Sequence, residues 1–177
     1  MFGDPTEPNC DIETLGEHVE FMTTGGRGWA KYYCDQGARF VRSLDVRMNH
    51  ISDAECVFVN PPDSAEARRT RVSAGDVLLT MTGSRIGRVS KAPGELDGAY
   101  ISQHVAIVRL KESLEPEFLS RFLSLEHGGQ IQIRKWQYGQ TKPGLNFRQV
   151  KSFQVPVPDV TQQRCLLYTS PSPRDRG

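Results

Sequence analysis

The stretch Gly75-Asp76-Val77-Leu78-Leu79-Thr80-Met81-Thr82-Gly83-Ser84-Arg85-Ile86-Gly87 holds a turn, a strand and a second turn in one short run. Gly75-Asp76 is turn chemistry, because Gly supplies unusual dihedrals and Asp can bond its own backbone. Val77 to Thr82 is apolar and β-branched, which suits a pleated, buried surface. Gly83-Ser84 reverses the chain, and Ile86 to Ser90 returns it as the second arm of a β-hairpin. The hairpin tip carries two guanidiniums, Arg85 and Arg88, and no Asp or Glu occurs from Val77 to Gly94.

Working outward, more short strands and helices are predicted. Arg39-Phe40-Val41-Arg42 and Cys56-Val57-Phe58-Val59 read as strands, with Leu44 to Asn49 between them. His104 to Leu110 is another strand, with a period of two from Val105. Thr14 to Phe21 places Leu15 and Val19 at helical spacing, and Thr14 with Glu17 fits a capping box, so a short helix is predicted there. Thr23-Thr24-Gly25-Gly26-Arg27-Gly28 is a Gly-rich loop; with no Gly-Lys-Ser/Thr after it, it is not a phosphate-binding loop. Ser64 to Val72 reads as a charged helix.

The strongest amphipathic helix runs from Pro116 to about Ile133, with Gly128-Gly129 as a point where it breaks. Tyr138 to Gly144 must be loop. Asn146 to Ser152 is a short helix capped by Asn146. Phe153-Gln154-Val155-Pro156-Val157-Pro158 is an edge strand, since its prolines cannot donate to a ladder. These elements predict an α+β fold, a twisted mixed or antiparallel sheet of short strands with flanking helices. No internal repeat is visible.

Composition narrows the function classes. The chain has 177 residues, 37 % hydrophobic and 24 % charged, enough for one domain with its own core. No apolar run of roughly 18 residues exists to cross a membrane. Cys10, Cys34, Cys56 and Cys165 are scattered, with neither Cys-x-x-Cys nor zinc spacing, which suits reduced thiols in the cytoplasm and argues against a metal. The net charge is only +1. Its distribution is uneven: His127 to Pro158 has no acid but holds Arg134, Lys135, Lys142, Arg148 and Lys151. Two acid-free basic stretches on a near-neutral chain either form one face for an anion or are ordinary solvated surface.

Both ends look foreign to the domain. Cys165-Leu166-Leu167-Tyr168-Thr169-Ser170-Pro171-Ser172-Pro173-Arg174-Asp175 resembles, codon for codon, the translation of the transposase end used in sequencing libraries. Residues 165–177 are therefore expected to be a non-native tail that adds nothing to packing. Residues 1–13 read as a polar lead-in loop, and residues 14–164 as the domain. Met1-Phe2-Gly3-Asp4-Pro5 looks like an internal junction of a longer protein.

Three stretches in order carry a family resemblance: Gly75 to Gly87; Gly139-Gln140-Thr141-Lys142-Pro143-Gly144-Leu145-Asn146; and Phe153 to Pro158 followed by Gln162-Gln163. Together they resemble the target-recognition domain of specificity (S) subunits of type I restriction-modification systems. The resemblance spans about Leu15 to Arg164. The family carries two such domains joined by long helices, and this chain has one domain and no spacer. The resemblance implies sequence-specific binding of double-stranded DNA, no cofactor and no catalysis. It also implies partner modification (methyltransferase) and restriction subunits that perform the chemistry. A recognition domain inside a fused restriction-methylation enzyme is the nearer alternative.

The DNA-binding candidates are Arg42, Arg47, Ser84, Arg85, Arg88, Lys91, Gln103, His104, Arg134, Lys135, Tyr138, Gln140, Thr141 and Lys142. Arg forks onto phosphate or guanine, Gln onto adenine, and Lys neutralises phosphate. For Trp136 a place in the core is preferred to a DNA contact. Arg68, Arg69 and Arg71 read as a solvated helix face. His18 and His127 have no evident partner. A catalytic His104 would need a nucleophile elbow or a carboxylate partner, and neither motif is present; a small hydrolase using His104 is the far alternative. Asn60-Pro61-Pro62-Asp63 lacks the aromatic of an adenine-methylation motif and reads as a turn.

Overall fold

The computed structural model describes residues 10–169. The strands, in chain order, are β1 (Ile12–Thr14), β2 (Val19–Thr24), β3 (Tyr33–Cys34), β4 (Ala38–Val41), β5 (Val46–Arg47), β6 (His50–Ile51) and β7 (Val57–Val59). They continue with β8 (Val77–Thr80), β9 (Val89–Lys91), β10 (Tyr100–Ile101), β11 (Val105–Leu110) and β12 (Gln154–Pro156). The helices are α1 (Ala65–Arg69), α2 (Pro116–Ser124), α3 (Ile131–Gln137), α4 (Phe147–Lys151) and α5 (Val160–Thr169).

The fold is α+β. The predicted sheet is divided into two four-stranded sheets, ordered β2-β11-β8-β9 and β10-β4-β7-β3, with two small ribbons, β1-β12 and β5-β6. Among the described residues only the β10-β4 pair is parallel, so the character is mixed, with antiparallel pairs dominating.

The β2-β11-β8-β9 sheet is the centre of the molecule, with a core on each face. On one side Val77, Leu79, Met81, Ala106 and Val108 pack on Phe118, Leu119, Phe122 and Leu123 of α2 and on Phe153. On the other, Leu78, Val105 and Ile107 meet Val41, Val46, Ile51, Ala99 and Ile101. Double coverage explains why Val77-Leu78-Leu79-Thr80 is apolar without alternation. It also corrects the two-sided reading of β11, where Val105, Ala106, Ile107 and Val108 are all buried.

The hairpin forms as predicted, β8 pairing antiparallel with β9. The amphipathic helix breaks at the predicted glycines: α2 ends at Ser124, a wide turn over Glu126–Gln130 follows, and α3 leaves in a new direction from Gly128. Asn146 caps α4 through a reciprocal capping box with Gln149, and Ser64 caps α1.

Four expectations are corrected. The helix over Thr14 to Phe21 is a single 3-10 turn, Leu15–His18, with no side-chain cap from Thr14; Val19 onward is β2, because pairing with β11 offers more hydrogen bonds than one more helical turn. The lead-in loop becomes β1 at Ile12, paired with β12; its part in residues 1–9 lies outside the described residues. His18 has partners after all, Ser113 Oγ at 2.6 Å and Glu13 Oε2 at 3.2 Å. Packing also does not stop before Cys165. Helix α5 runs to Thr169, and Leu166 and Leu167 pack half-buried against the α2 core, since two leucines at the right helical phase cover apolar surface whatever their origin. Residues 170–177 of the expected tail lie outside the described residues.

The Gln-Gln motif has a structural role. Gln163 is fully buried; its amide donates to the carbonyls of Ser113 and Pro158 and accepts from the Glu115 amide at 2.8 Å. One side chain thereby satisfies three backbone groups where α5 meets the start of α2.

Candidate nucleic-acid interface

Antiparallel order places the end of β2, the start of β11, the end of β8 and the start of β9 at one edge of the central sheet. Three connections therefore emerge side by side: residues 25–28, residues 102–104 and the hairpin tip, residues 81–88. A fourth joins them. Thr82 bridges Gly144, and the Leu145 amide donates to the Met81 carbonyl at 2.7 Å. The loop of Tyr138 to Pro143 is thus held beside the hairpin tip.

Gln137, which sequence reading passed over, closes that loop. Its amide donates to the Gly144 carbonyl at 3.0 Å and accepts from the Gly144 amide at 2.8 Å. Gln137→Ala is expected to leave the global fold intact but accelerate hydrogen exchange at the Gly144 amide. The stability cost should be about 1 kcal/mol, typical of an intramolecular hydrogen bond. Unchanged exchange at Gly144 would show that the bridge to Thr82 alone holds the loop.

The hairpin tip is positioned by its glycine and by α3. Gly87 has φ +90°, and a Cβ there would also press on Ile133 at 3.2 Å, so a side chain is disfavoured on two grounds. Gln130 donates to the Gly87 carbonyl at 3.0 Å and to that of Leu123 at 2.8 Å. This buried amide ties the tip to the bend between α2 and α3, another link without a sequence signal.

Several predicted residues come together at this edge. Ser84 is exposed and Arg85 half-buried. Arg88 is half-buried, and its Nη1 is shielded with no acceptor among the described residues, a costly state for a guanidinium. Tyr138, Gln140, Thr141 and Lys142 stand exposed on the clasped loop, and Lys135 is exposed on α3. Arg134, also on α3, pairs with Glu126 at 2.8 Å.

Trp136 and Tyr138 are not core: they are 41 % and 93 % exposed. The core reading for Trp136 is corrected. The tryptophan that is buried is Trp29, stacked on Phe40 and Tyr100. These exposed aromatics, one at the end of α3 and one at the start of the basic loop, are available to pack on sugars or bases.

His104 sits at the edge with its Nδ1 2.6 Å from Thr82 Oγ1 and its Nε2 3.2 Å from Gln103 Nε2. Both ring nitrogens face neutral groups and neither faces a carboxylate. That is a poor starting point for a general base and a good one for a fixed polar contact. Gln103 is exposed beside it.

Other candidates have other duties. Arg42 borders the same edge, but its guanidinium is held by Asp45 at 3.2 Å and by the Glu55 carbonyl at 2.7 Å. Arg47 is exposed on the β5-β6 ribbon. That ribbon is attached to the sheet by Asn49, which bonds Val89, Ser120 and Ser124. Lys91 pairs in register with Val77, at the far end of β9, about 10 Å from Arg88 at strand rise. It is separated from the rest of the set.

The chain matches no protein-family model and no curated protein. Among solved structures it superposes on a chain of a type I R-M system studied for its complex assembly and conformational transition. That superposition has TM-score 0.69 and 18 % identity, over 94 % of this chain and 38 % of that one. It has the fold of a type I specificity subunit. The HsdS subunit from Thermoanaerobacter tengcongensis gives TM-score 0.66 and 18 % identity, over 95 % of this chain and 38 % of that one. The S subunit of the M. genitalium type I restriction-modification system gives TM-score 0.62 and 14 % identity, over 89 % and 37 %. The chain therefore spans under two fifths of the length of these chains. Among the described residues no helix is long and apolar enough to cross a membrane.

Proposed function

We propose that this chain is a DNA target-recognition domain that binds double-stranded DNA sequence-specifically and performs no chemistry itself. The observation that carries the reading is the convergence of loops at one edge of the central sheet. There an acid-free hairpin and an acid-free loop, held together by the Thr82–Gly144 bridge, present Arg85, Arg88, Gln140, Thr141 and Lys142 together. Positive charge supplies affinity for phosphate, and the Gln side chain supplies base discrimination. Within a complete specificity subunit the domain would direct modification and restriction subunits to one half of a split target, in the cytoplasm where the DNA is.

Two kinds of variant test this. Gln140→Ala is expected to relax base preference at one position, at a cost of about 1–3 kcal/mol there. Arg85→Ala and Lys142→Ala are expected to weaken all sequences alike. The readout is selection of bound duplexes from a randomised pool by each variant. Equal losses on selected and random DNA for Gln140→Ala would move Gln140 to the backbone. No binding to any duplex at low salt would sink the function.

A further inference from the structure

The Gly-rich loop Gly25-Gly26-Arg27-Gly28 has no part in the reading above, yet it emerges from β2 at the same sheet edge. It is firmly placed. The Gly25 amide donates to the Val105 carbonyl at 3.3 Å. A Cβ on Gly25 would lie 2.0 Å from the Ile101 carbonyl oxygen and 2.4 Å from that of Ser102, so only glycine permits this approach of two backbones. Arg69 of α1 donates to Thr23 Oγ1 and to the Thr24 carbonyl, fixing the strand that feeds the loop. Gly26 and Gly28 line a cleft of about 320 Å³ together with Ser102, Gln103 and His104. Arg27 lies between those two glycines, exposed, with no side-chain partner among the described residues.

The strand order β2-β11-β8-β9 sets the spacing. The Arg27 loop leaves β2, the Gln103–His104 turn enters β11, and the Arg85–Arg88 tip joins β8 to β9. At about 4.8 Å per strand, the two arginine-bearing loops stand roughly 10–14 Å apart with the Gln103–His104 turn between them. The major groove of B-DNA is about 12 Å wide.

Resting on the DNA-binding reading, we infer that Arg27 is a second phosphate clamp. It holds the backbone on one wall of a major groove while Arg85 and Arg88 hold the other, and the Gln103–His104 turn faces the bases between. One acid works against it: Glu66 touches the loop at Gly26, so the charge of this wall rests on Arg27 itself.

The experiment is fluorescence anisotropy of the full chain with a labelled mixed-sequence duplex across a salt series. Arg27→Ala is expected to weaken binding and to reduce the slope of log affinity against log salt by about 0.9, the loss of one phosphate contact. Arg27→Lys should restore most of that slope. Arg68→Ala removes another exposed guanidinium, on α1 and paired with Asp63, and is expected to change neither quantity. Arg27→Ala combined with Arg85→Ala should multiply the two single losses, as independent contacts do. Equal effects from Arg27→Ala and Arg68→Ala would reduce the clamp to bulk charge and overturn it. A double variant no weaker than either single one would mean one shared phosphate and overturn the two-wall arrangement. If Lys142→Ala and Arg85→Ala weaken binding while Arg27→Ala does not, the clamp fails and the DNA-binding reading stands; if wild type binds no duplex, both fail.

Discussion

Raising salt from 50 to 200 mM is expected to weaken binding of this chain to a mixed-sequence duplex by about 500-fold, if five side chains each release one phosphate counterion set. The side chains in question are Arg27, Arg85, Arg88, Lys135 and Lys142, which share one sheet edge. Each contact contributes about 0.9 to the slope of log affinity against log salt, so five give a slope near −4.5. The size of the effect follows from geometry rather than net charge, which is only +1 over the chain. Of the acids, Asp45 is buried on Arg42 and Asp76 lies at the opposite end of the sheet on Arg109, while Glu66 beside Gly26 opposes the Arg27 contact. Anisotropy titrations at four or five salt concentrations measure the slope directly. A slope shallower than about −2 would mean that no more than two of these groups touch phosphate, and the shared edge would then lose its meaning as an interface.

How far the sequence reveals this edge depends on the range of the interactions that build it. The hairpin, the Asn146 cap and the break at Gly128-Gly129 are local; each is written in neighbouring residues and each forms where expected. The basic hairpin and the basic 138–143 loop are likewise visible as runs without acids. Their adjacency is not visible, because it comes from a bridge between Thr82 and Gly144, from Gln130, which reaches the carbonyls of Gly87 and Leu123, and from Gln137, which clasps Gly144. Glutamine at such places carries no pattern. Val19 to Thr24 misleads for a related reason: Leu15 and Val19 sit at helical spacing, yet a partner strand from ninety residues away takes the segment into the sheet. Trp136 misleads because burial is assigned by residue type when only the bend before α3 decides which way that helix faces. The Arg27 loop is legible as a flexible glycine run and as nothing more; its value depends on which strand ends beside it.

The opposite end of the sheet offers the sharpest contrast between stability and binding. Asp76 is buried, 2 % exposed, and accepts from Arg109 Nε and Nη2, both at 2.9 Å, and from the Ser73 amide at 2.8 Å. Arg109 also reaches Ser73 Oγ at 3.1 Å and lies over the Phe21 ring. The bidentate bond from Asp76 raises the Arg109 pKa above its ordinary value; burial opposes the rise, and the charges of Asp76 and Glu20 add to it. A cation whose folded pKa is raised stabilises the fold at every pH below its unfolded value and loses that contribution only as pH climbs through the folded one. This pair therefore gives no pH dependence from its arginine side across the neutral range. Removing the carboxylate is different, because it leaves the Ser73 amide and a partly buried guanidinium unsatisfied. Asp76→Ala is expected to cost about 3 kcal/mol, the lower end for a broken buried pair, since water still reaches part of Arg109. In a domain of this size that lowers Tm by about 6–12 °C. Asp76→Ala with Arg109→Ala should cost less than Asp76→Ala alone, because no charge is left stranded. DNA affinity of the folded protein, measured well below Tm, should be unchanged, because the pair lies a strand's length from the basic edge. A Tm loss under 2 °C would show that the pair is solvated rather than buried. A parallel loss of DNA affinity would show that the two ends of the sheet are coupled, and that Arg109 belongs to the binding surface rather than to its support.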